Sequence, residues 1–167
     1  RAERQKNPAE RDAMMTFVVV GGGPTGVEMA GAMKEIALRT IPREFRSIDT
    51  TRARVILVEA QPRVLAGFDP ELSDRALAAL RSMGVEVRLN TKVTGIDATG
   101  VTIAGPAGTE RVASRQVVWA AGVRGSPLAA MTGAPIDHAG RARVLGDLSV
   151  PGHREVFVIG DLAAVED

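Results

Sequence analysis

The sequence predicts an α/β protein with a parallel β-sheet, and three stretches of the chain carry this prediction. Residues 16–20 form an apolar run that leads directly into a glycine-rich turn and then into a helical pattern. Residues 54–58 form a second, nearly continuous apolar run, which is typical of a strand covered on both faces. A helical pattern separates it from a third expected strand at residues 85–89, and strands alternating with helices favour a parallel sheet.

A short helix is expected before the first strand, because Asn7 suits a helix cap and Pro8 suits the first helical position. In the glycine turn, Pro24 suits the first position of the next helix, because it lacks an N–H that would have had no partner there. The helical pattern from Val27 onward places small and apolar residues on one face, which predicts close packing on the sheet. Residues 39–54 contain a proline and many charges, so we expect an irregular connection to the second strand.

The next elements are predicted from caps and turns. Asp69 has the side chain of a helix cap, and Gly84 ends the helical pattern that reaches Met83. From Val93 onward, short strands separated by turn residues predict a small antiparallel β-meander in place of a crossover helix. The chain therefore combines a parallel sheet with a separate antiparallel element.

Two further strands are expected in the last third of the chain. Residues 116–120 read as a buried strand that ends in Ala121 and Gly122. Residues 155–161 have the pattern of one more core strand, although the chain offers it few neighbours.

The glycine-rich turn is the strongest candidate for a ligand site. Gly21, Gly23 and Gly26 have the G-x-G-x-x-G spacing, which serves a tight turn, close approach to a pyrophosphate and close helix–strand packing. The unpaired amides and the dipole at the helix start favour an anion there. The turn therefore predicts a dinucleotide site, and a glycine-rich turn without a ligand is the alternative.

Glu59, at the end of the second strand, is the candidate for the adenosine end of such a ligand. A carboxylate at this place accepts hydrogen bonds from ribose hydroxyls and repels a 2′-phosphate, so the expected cofactor is NAD(H) and not NADP(H). Arg63 weakens this argument, because a nearby arginine can accommodate the phosphate. A solvated acid at the end of a strand is the alternative for Glu59.

Two other acidic residues each have two possible roles. Glu28 is expected in the first turn of the helix after the glycine turn, where it interacts with the helix dipole or points toward the nicotinamide end. Asp161 follows Gly160 and could hold hydroxyls of a second cofactor or form a turn. His138 and His153 have no partner at ligand spacing, so we expect surface positions and no metal site.

The composition excludes several classes of function. Twenty-one basic and 20 acidic residues give a net charge of +1, and aromatic residues make up 3%, which argues against a nucleic-acid partner. The absence of cysteine removes disulfides and thiolate chemistry from these 167 residues. The chain lacks a signal-peptide pattern and an initiator methionine, so we expect that it was excised from a longer protein.

Taken together, four segments resemble the type II NADH dehydrogenases. They are residues 17–31, residues 55–60 with Pro62 and Arg63, residues 118–123, and residues 156–161. These enzymes are single-subunit, FAD-containing NADH:quinone oxidoreductases of the two-dinucleotide-binding-domain flavoprotein superfamily. The glycine turn alone is generic, whereas this succession of segments is specific.

The resemblance implies the role of each candidate residue. It places the NADH pyrophosphate on Gly21, Gly22, Gly23, Pro24, Thr25 and Gly26. It places Glu59, with Ala60 and Gln61, at the adenosine ribose, and Val93 beside the adenine. It puts Ala121 and Gly122 on the route between the two cofactors, and Gly160 and Asp161 at the ribityl or phosphate portion of FAD. Glu28 becomes the catalytic candidate, near the place where the nicotinamide meets the flavin.

The resemblance also divides the chain into three parts. Residues 1–14 are a linker helix from a missing half of the FAD domain, residues 15–120 a Rossmann-like NADH-binding domain, and residues 121–167 a partial FAD-binding segment. The parent reaction passes hydride from NADH to FAD and on to a quinone. We expect a cytoplasmic parent, peripheral on the membrane through a missing C-terminal part, with a homodimer as an open possibility.

The fragment itself is expected to bind NAD(H) without turnover. One alternative is a stand-alone NAD(H)-binding or sensor module, and another is a different pyridine nucleotide-disulfide reductase that lacks the cysteine pair. A third alternative treats Gly21 to Gly26 as the FAD site itself.

Overall fold

The computed structural model describes residues 1–122 and 124–165. The chain divides into two compact units, Arg1–Ala121 and Gly122–Asp167. Val123, the last residue of one of the four segments of resemblance, lies outside the described residues.

The first unit is built on a parallel sheet and a meander. Its strands are, in chain order, β1 (Thr16–Val20), β2 (Arg54–Val58), β3 (Glu86–Arg88), β4 (Lys92–Asp97), β5 (Gly100–Gly105), β6 (Gly108–Ala113) and β7 (Gln116–Trp119). The parallel sheet has the order β3-β2-β1-β7, and β4, β5 and β6 form the antiparallel meander. The predicted fold class is confirmed, although β3 is shorter than the strand expected at residues 85–89.

The parallel sheet is covered on both faces, as its continuous apolar strands predict. One face packs against the meander, and the core between them contains Val18, Val20, Ile56, Val58, Val101, Ile103 and Val112. The opposite face packs against helices and contains Val19, Ala30, Val55, Leu57, Val64, Leu80 and Val85. Burying one such aliphatic side chain contributes roughly 1.5–3 kcal/mol, so this double layer holds the carboxyl ends of the strands in place.

The helices of the first unit begin at the residues that cap them. α1 (Pro8–Met14) starts after Asn7, whose side chain accepts from the amides of Ala9 and Glu10. α2 (Pro24–Glu35) follows the glycine turn, and α3 (Pro70–Ser82) starts after Asp69, whose side chain accepts from the amide of Glu71.

The start of α2 agrees with the prediction for Pro24. The helix begins at this residue, three residues before the apolar pattern that starts at Val27, because the fixed backbone angle of proline suits the first helical position. Ala30 and Ala37 are buried, which confirms the predicted packing face.

The connection between α2 and β2 is irregular, as predicted, yet it is anchored to the core. It contains a π-helical turn, Ile36–Thr40, and a 3₁₀ turn, Thr50–Arg52. The Thr50 hydroxyl donates to the carbonyl of Ala37 at 2.9 Å. Lys34, which is only 8% exposed, extends its ammonium group to the carbonyl of Ala53 at 2.7 Å.

The second unit has its own small core. Its elements are α4 (Leu128–Met131), β8 (Ala142–Val144), β9 (Ser149–Val150), β10 (His153–Phe157) and β11 (Ala163–Val165). β9 pairs with β10 in antiparallel fashion and β8 with β11 in parallel fashion. The buried residues are Ala129, Ala134, Ala142, Val144, Val150 and Val158.

The prediction of a buried core strand at residues 155–161 is wrong. The strand ends at Phe157, which is 60% exposed, and Ile159 beyond it is 71% exposed. Within residues 1–122 and 124–165, the strand pairs only with the two-residue β9, so only part of its apolar surface is covered. None of the described helices has the length and apolar character needed to cross a bilayer.

Candidate functional site

The glycine turn lies at the carboxyl edge of the parallel sheet, where β1 ends. Val20 lies opposite Val58 of β2 and Trp119 of β7, so three strands end together at this edge. Gly21 continues from β1, and its amide donates to the carbonyl of Val58 at 2.8 Å. Ligands of open parallel sheets bind at such an edge.

The three glycines of the G-x-G-x-x-G spacing have different surroundings. Gly21 has a φ of +107°, and a side-chain carbon there would lie 2.6 Å from the carbonyl oxygen of Ala120. At Gly26 the same carbon would lie 1.8 Å from the carbonyl oxygen of Gly21, so only glycine lets α2 approach the turn this closely. At Gly23 the added carbon would meet no described atom within 4 Å. The space beside Gly23 is therefore open.

The start of α2 contains hydrogen-bond donors that are not used within the described part of the fold. Among the described residues, the amides of Gly23, Thr25 and Gly26 have no acceptor, and Pro24 has no N–H. The cap residue Gly23 offers no side chain to satisfy them. Three orphan amides and the positive end of a 12-residue helix are suited to an anion such as a phosphate.

The amides of Gly21 and Gly22 have a different role from the three that follow. Gly21 donates to Val58, and Gly22 donates to a carboxylate oxygen of Glu59 at 2.5 Å. These two amides therefore hold the turn in place. The prediction that all six residues from Gly21 to Gly26 border the cofactor stays a prediction.

Glu59 lies next to the turn, immediately after β2. Its Oε2 accepts from the amide of Gly22 and its Oε1 accepts from the amide of Gln61 at 2.6 Å. A carboxylate offers about four lone-pair positions, so acceptor capacity remains for two hydroxyl groups of a ligand. The structure thus places the predicted acid within one hydrogen bond of the glycine turn.

The loop after β2 is fastened to its neighbours. The carbonyl of Glu59 accepts from the amide of Thr91 at 2.9 Å, and the carbonyl of Gln61 accepts from the amide of Asn90 at 3.1 Å. Ala60 and Gln61 are exposed beside the turn. The guanidinium of Arg63 donates to the carbonyl of Ala66 at 3.4 Å, within the same loop.

Glu28 does not lie in the first turn of α2, the position that the sequence predicts for it. It is the fifth residue of α2 and belongs to the second helical turn, because the helix begins at Pro24. Its side chain is exposed and has no hydrogen bond or ion pair among the described residues. The prediction that it faces the nicotinamide stays a prediction.

The remaining candidates lie apart from the turn or in the second unit. Val93 is half-buried in β4 and packs against the core of the meander face. Ala121 ends the first unit, with its Cα 2.8 Å from where a side chain on Gly21 would begin. In the second unit, Gly122 and Gly160 have positive φ angles, and Asp161 is exposed in the 3₁₀ turn Gly160–Leu162.

The described residues contain no group of three histidine, cysteine or acidic side chains that could hold a metal ion. His138 is exposed, and His153 is exposed with its Nδ1 3.4 Å from Glu155. Both histidines therefore have the surface positions that were predicted for them.

The loop at residues 60–68 contributes contacts that the sequence analysis did not find. Leu65 has a φ of +51°, and its amide donates to the carbonyl of Gly22 at 2.7 Å. Leucine carries no sequence signal for a left-handed backbone, whereas glycine or asparagine would have suggested one.

A parallel sheet that brings a glycine turn, free helix amides and a carboxylate to one edge defines a dinucleotide-binding α/β unit. The comparisons with known proteins agree with this class. The chain belongs to the pyridine nucleotide-disulphide oxidoreductase family, whose sequence profile matches residues 1–166.

Relatives within this family carry the name that the sequence segments suggested. The chain is 48% identical to the type II NADH:quinone oxidoreductase Ndh of Mycobacterium tuberculosis, with 99% of this chain and 37% of the relative covered. NdhA of the same organism is also 48% identical, with coverages of 98% and 36%. The resemblance to type II NADH dehydrogenases is confirmed, and the chain spans little more than a third of these relatives' length.

A solved structure shares the fold at lower sequence identity. NDH2 from Plasmodium falciparum, solved in complex with NADH, superposes with a TM-score of 0.83 at 20% identity. The match covers 98% of this chain and 36% of that one.

Proposed function

We propose that this chain is the NADH-binding part of an NADH dehydrogenase that passes hydride from NADH to FAD and on to a quinone. One observation carries the proposal: among the described residues, three amides at the start of α2 have no acceptor, and they lie next to the open space at Gly23 and to a turn that is hydrogen-bonded to Glu59. The names of the relatives, which are type II NADH:quinone oxidoreductases, give the reaction.

The residues of the first unit fit one half of the dinucleotide. The amides of Gly23, Thr25 and Gly26 would bind the pyrophosphate, with the dipole of α2 adding to the attraction. The free lone pairs of Glu59 would accept from the adenosine ribose hydroxyls. Both groups lie on the same edge of a rigid sheet, so the protein supplies binding and orientation.

Hydride acceptance and quinone reduction would depend on FAD and not on the residues assigned to NADH. FAD supplies the hydride-accepting chemistry when bound. By family resemblance, Gly160 and Asp161 would hold part of it, Ala121 and Gly122 would line the route to it, and Glu28 would lie near the nicotinamide. The three-part division at residues 14 and 120, a peripheral membrane position and a homodimer belong to the same proposal.

Replacing the acid tests the adenosine assignment. Glu59→Gln should weaken NADH binding about tenfold, since hydrogen bonds to a charged acceptor contribute about 1.5–3 kcal/mol and the amide keeps only part of this. NADPH binding should change less or improve, because the repulsion of the 2′-phosphate is removed. Fluorescence titration of NADH and NADPH gives both affinities.

Glu44→Gln is the matched control, because Glu44 is exposed in the irregular connection and its side chain has no described partner. It should leave both affinities unchanged. Unaltered NADH affinity in a folded Glu59→Gln protein would remove Glu59 from the site. Protection from melting by FAD and not by NADH would instead favour the alternative that the turn binds FAD.

A further inference from the structure

A strained residue in the loop after β2 lies directly against the glycine turn. Leu65 has a left-handed backbone, with a φ of +51°, and its amide donates to the carbonyl oxygen of Gly22 at 2.7 Å. Residues other than glycine adopt this conformation only when the surrounding structure enforces it. We therefore look for the cause of the left-handed backbone at Leu65 in the packing of the loop around it.

The loop is fixed on both sides of the Leu65 amide. The side chain of Val64 is fully buried against α3 and the sheet. The hydroxyl of Ser73, a residue of α3 that is 1% exposed, donates to the carbonyl oxygen of Val64 at 2.6 Å. The carbonyl of Leu65 accepts from the amide of Phe68 at 2.8 Å. The peptide group between Val64 and Leu65 thus has a partner at each end.

The peptide group between Gly22 and Gly23 accepts the hydrogen bond from Leu65. In a trans peptide the carbonyl and the N–H point in opposite directions, and both of these peptides are trans. Since the Gly22 carbonyl accepts from Leu65, the N–H of Gly23 is directed away from the loop. That N–H has no described acceptor, and the space beside Gly23 is open.

We propose that Ser73 and the backbone of Leu65 are positioning residues for the pyrophosphate, acting through a continuous chain of hydrogen bonds. The chain runs from the Ser73 hydroxyl through the Val64–Leu65 peptide and the Gly22–Gly23 peptide to the free amide of Gly23. Aligned hydrogen bonds polarise one another, so the chain both orients this N–H and strengthens it as a donor. The inference rests on the proposed function, because it takes the anion at α2 to be the pyrophosphate of the dinucleotide.

The test compares two ligands that differ in the diphosphate. ADP-ribose contains the pyrophosphate, whereas adenosine contains only the part assigned to Glu59. Ser73→Ala in the full chain should weaken ADP-ribose three- to tenfold, the size of one lost hydrogen bond, and change adenosine less than twofold. Calorimetry and NMR titration measure the two affinities, and circular dichroism shows that each variant is folded.

Ser82→Ala is the matched control. Like Ser73, Ser82 lies in α3 and its hydroxyl donates to a backbone carbonyl, but that carbonyl belongs to Ala79 of the same helix, at 2.8 Å, and Ser82 is exposed. It should leave both ligands unchanged. A second variant removes only the donor: an ester in place of the Leu65 amide keeps the leucine side chain and should weaken ADP-ribose about tenfold. An ester at Ala66, whose amide has no described acceptor, is its control.

The outcomes separate this inference from the function on which it rests. If wild-type protein binds neither NADH nor ADP-ribose, the proposed function is wrong. If wild type binds both and the folded Ser73 and Leu65 variants bind ADP-ribose equally well, the positioning role is wrong. Equal weakening of ADP-ribose and adenosine would also overturn it, because a general loosening of the site would then explain the loss.

Discussion

At the scale of single residues, the glycines of the turn differ in how closely the fold surrounds them. Gly26 is confined by the carbonyl of Gly21, whereas Gly23 faces open space with an ordinary φ of −72°. The G-x-G-x-x-G spacing already predicts different roles for the two positions, approach to a pyrophosphate for Gly23 and helix–strand packing for Gly26. The surroundings of each Cα add which atoms a substitution would meet.

Alanine at these two positions should therefore have opposite effects. Gly23→Ala should change the free energy of unfolding by less than about 1 kcal/mol, since an ordinary backbone angle and open space accept the methyl group. The same methyl group should weaken NADH at least tenfold, because it occupies the space assigned to the phosphate. Denaturant unfolding and NADH titration measure the two effects.

Gly26→Ala is the counterpart, because its new carbon would overlap the carbonyl oxygen of Gly21. It should destabilise the fold by about 1–3 kcal/mol or more, as overpacking does. If Gly23→Ala binds NADH as tightly as wild type, the pyrophosphate does not lie beside Gly23.

Residue chemistry also sets the limit of what the sequence could predict at this site. Glu59 was predicted because an acid at the end of a strand is a local signal, and the structure places it against Gly22. The contact between Leu65 and Gly22 was not predictable, because a left-handed leucine is enforced by Ser73, Val64 and the core around them. Such contacts depend on which elements meet in space.

At the scale of elements, an ion pair joins the amino ends of β2 and β3. Arg54 contacts Glu86 through two hydrogen bonds of 2.8 and 3.0 Å. The hydrogen bond from Arg54 lowers the pKa of the Glu86 carboxyl below its ordinary value. A carboxyl with a lowered pKa in the folded state stabilises the fold above its unfolded pKa and loses this contribution as the pH falls through the folded value.

The pair should therefore produce a pH-dependent stability difference. Glu86→Gln should lower the free energy of unfolding at pH 7 by no more than about 1 kcal/mol, because both side chains are a third to a half exposed and solvent screens them. The difference between wild type and variant should shrink below about pH 4.5, where the unfolded carboxyl becomes protonated. Urea unfolding from pH 3 to 7 measures it.

Glu71→Gln is a suitable comparison, since its ion pair with Arg75 lies within α3 and both side chains are more than 70% exposed. It should cost less than about 0.5 kcal/mol. A difference for Glu86→Gln that stays constant from pH 7 to pH 3 would contradict an electrostatic origin.

The elements also show where sequence patterns suffice and where they fail. Asn7 and Asp69 cap helices as predicted, because a cap needs only its own residue and the next turn. The apolar run before Asp161 failed as a core strand, because burial depends on neighbouring strands. In the described part of the second unit, only the short strand Ser149–Val150 pairs with this segment, and the side chains of Phe157 and Ile159 stay exposed.

At the scale of the whole molecule, the described residues contain a four-stranded parallel sheet, and the chain spans about a third of the length of its relatives. The first unit has a double-layered core and a site whose amides, glycines and carboxylate come from residues 21–59. If the proposed function is right, binding of the nucleotide should require only this unit, whereas hydride transfer should require FAD as a second cofactor.

The full chain should bind NADH without turning it over. A ligand that binds only the folded state stabilises it by RT ln(1 + [L]/Kd), about 2.7 kcal/mol at one hundred times Kd, so NADH should raise the melting temperature in a concentration-dependent way. Hydrogen exchange should slow most around the glycine turn and Glu59. The rate of NADH oxidation with a soluble quinone should stay at the level of the protein-free reaction, because the residues assigned to NADH orient it but accept no hydride. Steady NADH oxidation by the purified chain, without added flavoprotein, would contradict this separation, and protection by NADH that Glu59→Gln leaves unchanged would place the nucleotide elsewhere.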